Sequence, residues 1–144
     1  MFGMNVFNEA TVVATYCACI ALAITNVLHA NQNIYAVYFL IGYIKHILGY
    51  FIFYDAYCNI GHACACSRKA HALKNKSTYS AYIPFNELIL QSILEGCLFM
   101  CGGWLGSLIG IKNTVIVSAV CGFALHLKFE LLGIHMYFCS KYCV

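Results

Sequence analysis

Long apolar runs joined by very short polar links constrain this chain more than anything else in it. Ala10–Leu28, Ile34–Tyr54, Leu88–Ile111 and Val115–Met136 are each long enough to cross about 30 Å of hydrocarbon at roughly 1.5 Å per helical residue. His29–Asn33 joins the first run to the second, and Lys112–Thr114 joins the third to the fourth. Links that short connect only antiparallel neighbours, so the expected fold is all-α: one transmembrane domain over residues 1–144, a four-helix antiparallel bundle made of two helical hairpins. Composition points the same way. With 62% hydrophobic and 9% charged residues, against about 25% charged in an average soluble domain, the chain lacks the polar residues needed to coat a core. The solvent around it must be lipid or other protein. The net charge of +3 is modest and its basic residues form no groove with interleaved aromatics, which argues against nucleic acid as a partner.

Residues 55–87 form the one sizeable polar segment, carrying Arg68, Lys69, Lys74, Lys76 and the single proline, Pro84. A short surface helix is expected near Ala63–Leu73. With Lys141, this side holds five Lys or Arg, whereas the opposite side holds only Lys112. The positive-inside bias therefore places both termini and the 55–87 loop on the cytosolic side. Tyr35, Tyr54, Tyr57, Tyr82 and Tyr137 fall where interfacial aromatic belts belong. No Lys or Arg precedes Lys45, so the first run lacks the basic region of a secretory signal and is expected to stay as a helix. Phe2 excludes N-myristoylation.

Several charges lie inside the apolar runs: Lys45 and His46 in the second, Glu95 in the third, and His126, Lys128 and Glu130 in the fourth. A charge at the bilayer centre costs about 2.5 to 3.5 kcal/mol on insertion scales, so these groups should find partners in the bundle. Helical spacing puts Glu95 on one stripe with Gly102, Gly106 and Gly110, and aligns Gly42 with Lys45 and Gly49. Ala119, Gly122, His126, Glu130 and Gly133 share one side of the fourth run. The expected polar network is Lys45, Glu95, His126 and Glu130, with Lys45 and His126 near mid-membrane. Lys128 lies nearly opposite, to snorkel toward headgroups or to meet a partner subunit.

Ten cysteines are many for this length. Cys17, Cys19, Cys97, Cys101 and Cys121 fall in the runs, where a thiol packs as a small apolar group. Cys58, Cys64, Cys66, Cys139 and Cys143 fall on the proposed cytosolic side and are expected chiefly as unmodified thiols. Cys58, His62, Cys64 and Cys66 carry zinc-type ligand chemistry in a non-standard spacing. Cys58, Cys64 and Cys66 are also candidates for palmitoylation. His46 and His126 offer two imidazoles for a haem between helices, but a lone His per helix is more often a hydrogen-bonded core residue, and the expectation is that the chain holds no cofactor.

In length and helix count alone the chain is similar to small multidrug exporters and to the microsomal glutathione-transferase group. The Arg- and Asn-bearing second helix of the latter is missing from 34–54, so no residue role carries over. Short links, glycine faces and the lack of a local catalytic constellation point first to a structural or assembly subunit of a larger membrane complex, such as a virion's internal membrane or an organellar assembly. Its partners would be the lipid bilayer and other membrane subunits or further copies of itself. The rival is a small oligomeric proton-coupled transporter or channel using Glu95 or Glu130 with Lys45. A membrane-embedded enzyme is the third reading.

Overall fold

A computed structural model describes residues 5–28, 33–70 and 78–143. The chain is all-α: α1 (Val6–Val27), α2 (Ile34–Ile60), α3 (His62–Ala70), α4 (Phe85–Leu108), α5 (Thr114–Leu131) and α6 (Ile134–Tyr142). α1, α2, α4 and α5 are long and apolar enough to cross a membrane. His29, Leu73, Lys74 and Lys76 lie outside the described residues, as do the side chains of Arg68 and Lys69.

Local chemistry explains where the helices begin and end. Asn5, Asn33 and Asn113 each accept a hydrogen bond from a backbone N–H in the first turn of α1, α2 and α5, as N-cap asparagines do. At the end of α4, Gly110 takes φ +81°, Gly110 N–H bonds Ser107 O, and Ile111 N–H bonds Gly106 O. That pair of bonds is a Schellman cap. Gly110 is thus a turn residue outside the packing stripe, and a Cβ there would meet nothing within 4 Å. Gly133, with φ +70°, also ends its helix in the left-handed conformation, its N–H bonding Glu130 O. The fourth apolar run therefore stops at Leu131 and restarts as α6, where an unbroken helix to Met136 was expected.

The four long helices form a ring in the order α1, α2, α4, α5, every neighbour antiparallel, with the closest packing between α2 and α4 and between α1 and α5. Small residues create these contacts. A Cβ on Gly42 would lie 2.7 Å from the Glu95 carbonyl oxygen, and one on Gly96 2.9 Å from the Phe39 ring. Gly103 lies beneath the Tyr38 ring, Gly102 against Cys121, Gly106 against Val117, and Gly122 against Cys17. Gly49 is roomier, its nearest neighbour being Tyr16 at 3.8 Å. The core between the helices comprises Cys17, Ile20, Ala21, Val37, Tyr38, Ile41, Phe99 and Val117. The outer surface is the reverse of a soluble protein's: Phe51, Leu105, Ile109 and Leu131 are all exposed, an apolar coat suited to lipid.

One end of the ring carries a cap built from α3, α6 and the 78–84 segment. Disulfides Cys58–Cys143 and Cys64–Cys139 tie α6 to the end of α2 and to α3. These four cysteines are therefore bonded in pairs, which corrects the expectation of unmodified thiols. Asp55 accepts from Ser80 Oγ (2.9 Å) and Ala81 N–H (2.7 Å). Asn59 exchanges two hydrogen bonds with the Tyr79 backbone, and Tyr82 N–H bonds Tyr142 O.

The closeness of α2 and α4 is testable. Gly42→Ala should lower the stability of the detergent-solubilised protein by about 1–3 kcal/mol through overpacking, while Gly49→Ala should change it little. Thermal unfolding measures both, and equal small effects would show that Gly42 is not a contact point.

Candidate functional site

The charges expected to form one network form two clusters. In the first, Lys45 of α2 hydrogen-bonds and ion-pairs with Glu95 of α4. The other Glu95 oxygen lies 2.5 Å from His46 Nδ1, and His46 Nε2 lies 3.2 Å from Gln91 Oε1. The approach at Gly42 is what lets Lys45, three residues along the same helix, reach across to Glu95. Glu95 lies ten residues from the start of α4, roughly 15 Å along the helix axis, so this pair is well inside the bundle. Gln91 continues the chain of contacts outward, donating to Tyr142 Oη (3.3 Å). Tyr142 and Lys141 both donate to Glu87, Lys141 at 3.0 Å. Hydrogen bonds to Tyr142 and Glu87 hold the Lys141 ammonium above its ordinary pKa.

The second cluster lies at the capped end. Glu9 of α1, only 4% exposed, lies with one oxygen 3.3 Å from His126 Nε2 of α5. Its other oxygen accepts the backbone N–H of His62, 2.5 Å away. Glu130 of α5 divides its oxygens between His62 Nδ1 (3.0 Å) and His135 Nδ1 of α6 (2.9 Å). The His126 and His135 rings stand 4.6 Å apart. Burial pushes the His135 imidazole below its ordinary pKa, and its hydrogen bond to Glu130 offsets that only in part. Tyr57 packs against His135 with ring centroids 5.8 Å apart, its phenol ring carrying the hydroxyl. That hydroxyl is buried and has no hydrogen-bond partner.

This arrangement differs from expectation at named residues. His126 is five residues from the end of α5, not mid-membrane, because α5 stops at Leu131. Glu130 and His126 pair with His62, His135 and Glu9, and neither pairs with Lys45. Glu9 and His135 were not anticipated, and α1 begins early enough for Glu9 to face inward beside Ala10. Cys58, His62, Cys64 and Cys66 do not converge as one ligand set. Cys58 and Cys64 are in the disulfides, while His62 faces Glu130 with Nδ1 and the free Cys66 thiol with Nε2, 4.0 Å away. Of the palmitoylation candidates, Cys66 alone is a free thiol. His46 and His126 sit in separate clusters, each beside its own carboxylate. Lys128 is exposed on α5 in line with Ile116, Val120 and Ala124, facing away from the bundle.

Compared with known protein families, curated proteins and solved structures, the chain matches none.

The Lys45–Glu95 pair has an energetic signature. Glu95→Gln strands a buried ammonium and should cost about 3–5 kcal/mol, whereas Lys45→Met together with Glu95→Gln should recover most of that loss. Denaturation of the single and double variants decides it, and losses that simply add would show that the two groups are uncoupled.

Proposed function

We propose that this chain is a multi-pass structural or assembly subunit of a larger membrane complex. One observation carries the reading. Thr11, Thr15, Cys19 and Ala23 recur every fourth residue on the outward, exposed side of α1, while Glu9, Ala10, Cys17 and Ala21 fill its inward side. The Thr11 and Thr15 hydroxyls bond back to the carbonyls of Phe7 (2.8 Å) and Thr11 (3.0 Å). The stripe is therefore small and internally satisfied, as a surface for close helix packing in lipid should be. Beside the stripe α1 presents Val12, Leu22 and Val27, and the other long helices present Phe51, Leu94, Leu105 and Ile116 outward. Lys128, outward in the last turn of α5, suits an anionic headgroup or an acidic group on a neighbouring subunit.

The same reading places the start of α1, the 55–87 segment and α6 on the cytosolic side, following the excess of Lys and Arg there. Disulfides are rare in the reducing cytosol. The two cues are compatible because loop charge acts while the helices insert, and disulfides close later. A cap made in the cytosol and oxidised afterward suits an assembly that leaves that compartment, such as a virion carrying an internal membrane.

Oxidative crosslinking through Cys19 in native membranes, read by mass spectrometry, tests the proposal. Crosslinks to a defined neighbour are expected, and Thr15→Leu with Ala23→Leu should reduce them by about tenfold or more, the equivalent of 1.4 kcal/mol or more. Recovery of the chain as a free monomer alone would end the proposal.

A second reading has its own support. Hydrogen bonds run from Lys45 through Glu95, His46, Gln91 and Tyr142 to Glu87 and Lys141 at the surface, a route a proton-coupled carrier would use. On that reading, purified protein in liposomes moves protons or cations and Glu95→Gln stops the movement. Liposomes that show no flux with the wild-type chain rule it out.

A further inference from the structure

We propose that Cys58, Cys64, Cys139 and Cys143 form a redox-switched zinc site: the two disulfides of the cap are its oxidised, metal-free state, and their reduction yields four thiolates that bind one Zn²⁺. Three elements supply the sulfurs: Cys58 from the end of α2, Cys64 from α3, and Cys139 and Cys143 from α6 and its C-cap.

The two disulfides touch each other. Cys64 Sγ lies 3.6 Å from Cys143 Sγ, to which it is not bonded, and the sulfurs of Cys58, Cys64 and Cys143 all lie within 4.8 Å of one another. Cys139, bonded to Cys64, completes the four. Around a tetrahedral zinc with Zn–S bonds of about 2.3 Å, neighbouring sulfurs stand about 3.8 Å apart. The four sulfurs are therefore already gathered on the scale of one tetrathiolate site. Opening both S–S bonds lets them spread around an ion by side-chain rotation.

Local structure presents the sulfurs as a set. Cys139 and Cys143 are four residues apart, one helical turn, and so share a side of α6. The turn at Gly61 folds α3 back on the end of α2 and brings Cys64 toward Cys58. Cys66 is left out, because it faces His62 Nε2. Cys58, Cys64 and Cys139 are 0%, 1% and 5% exposed, and Ala63, Tyr57 and Phe138 pack around them, which shields a bound ion from water. Histidines aside, the charged residues in the sequence of α3 and α6 are Arg68, Lys69 and Lys141, the sign that favours thiolates.

Four electrons separate the two states. Two molecules of a dithiol reductant cleave the two S–S bonds, become disulfides themselves and release four protons, while the four thiolates close on Zn²⁺. A disulfide oxidant reverses the step and expels the ion. The thiolate state belongs where thiols are kept reduced and the disulfide state where they are not, whatever assembly the chain serves.

Full-length protein in detergent is reduced with a dithiol, desalted anaerobically, equilibrated with Co²⁺ or Zn²⁺ and desalted again. About one ion per chain should remain, and cobalt should show a near-ultraviolet thiolate charge-transfer band. Unreduced protein should show no such band, and oxidised glutathione should release the ion from the loaded chain. Cys139→Ser and Cys143→Ser should each weaken binding about tenfold or more, while Cys66→Ser, or Cys97→Ser with Cys101→Ser, leaves it unchanged. Because the first two variants can fail to fold, the unaltered chain provides an independent measurement: Zn²⁺ should raise the Tm of reduced protein in a concentration-dependent way and leave that of unreduced protein unchanged. The proposal fails if reduced wild-type protein shows no thiolate band or no rise in Tm, if unreduced protein shows the same band, or if Cys66→Ser weakens binding as much as Cys143→Ser.

Discussion

A buried carboxylate with no water around it must be matched from within the protein, and the bundle is organised around that demand. Glu95 lies deep in α4, and the one ammonium that meets it is carried by α2. Such a pair forms only if the two backbones come close. Gly42 provides the closeness, since any Cβ there would press on the Glu95 carbonyl. Gly96 and Gly103 repeat the device along the same contact, under Phe39 and Tyr38. Electrostatics and packing are therefore one feature: the glycines permit the approach, and the ion pair fixes its register.

The cluster at the capped end solves the same problem with different chemistry. Glu9 and Glu130 face imidazoles and a backbone N–H in place of a permanent cation. The first cluster rests on a lysine–glutamate ion pair deep in the bundle, and the second on histidine–glutamate contacts at its capped end.

The fold was largely legible because length and apolarity decide it. Short links demand antiparallel neighbours whatever the side chains are, and the all-α bundle follows. That Lys45 would reach a carboxylate was legible too, although depth and helical spacing left Glu95 and Glu130 equally open to it. The second cluster was not, and the cause is traceable to two helix ends. Starting the first helix at Ala10 leaves Glu9 outside the membrane, although Asn5 was available as an N-cap. Running the fourth helix through Met136 treats Gly133 as a packing residue, which sets His126 too deep and loses His135. A left-handed glycine inside an apolar run carries no local mark to separate it from a packing glycine. The disulfides were hidden for another reason: partners 85 and 75 residues apart meet only once the bundle has brought α3 and α6 together, and spacing does not specify connectivity.

The cap and the second cluster are mechanically linked. His62 is on α3 and His135 on α6, the two short helices that the disulfide Cys64–Cys139 joins directly. Helices of nine residues have little stability of their own, so without the staples these imidazoles would be poorly placed against Glu130. Cross-links that hold α6 against α3 and the end of α2 lower the entropy cost of bringing together side chains from separate elements. The disulfide-closed cap thus sets His62 and His135 on either side of the Glu130 carboxylate.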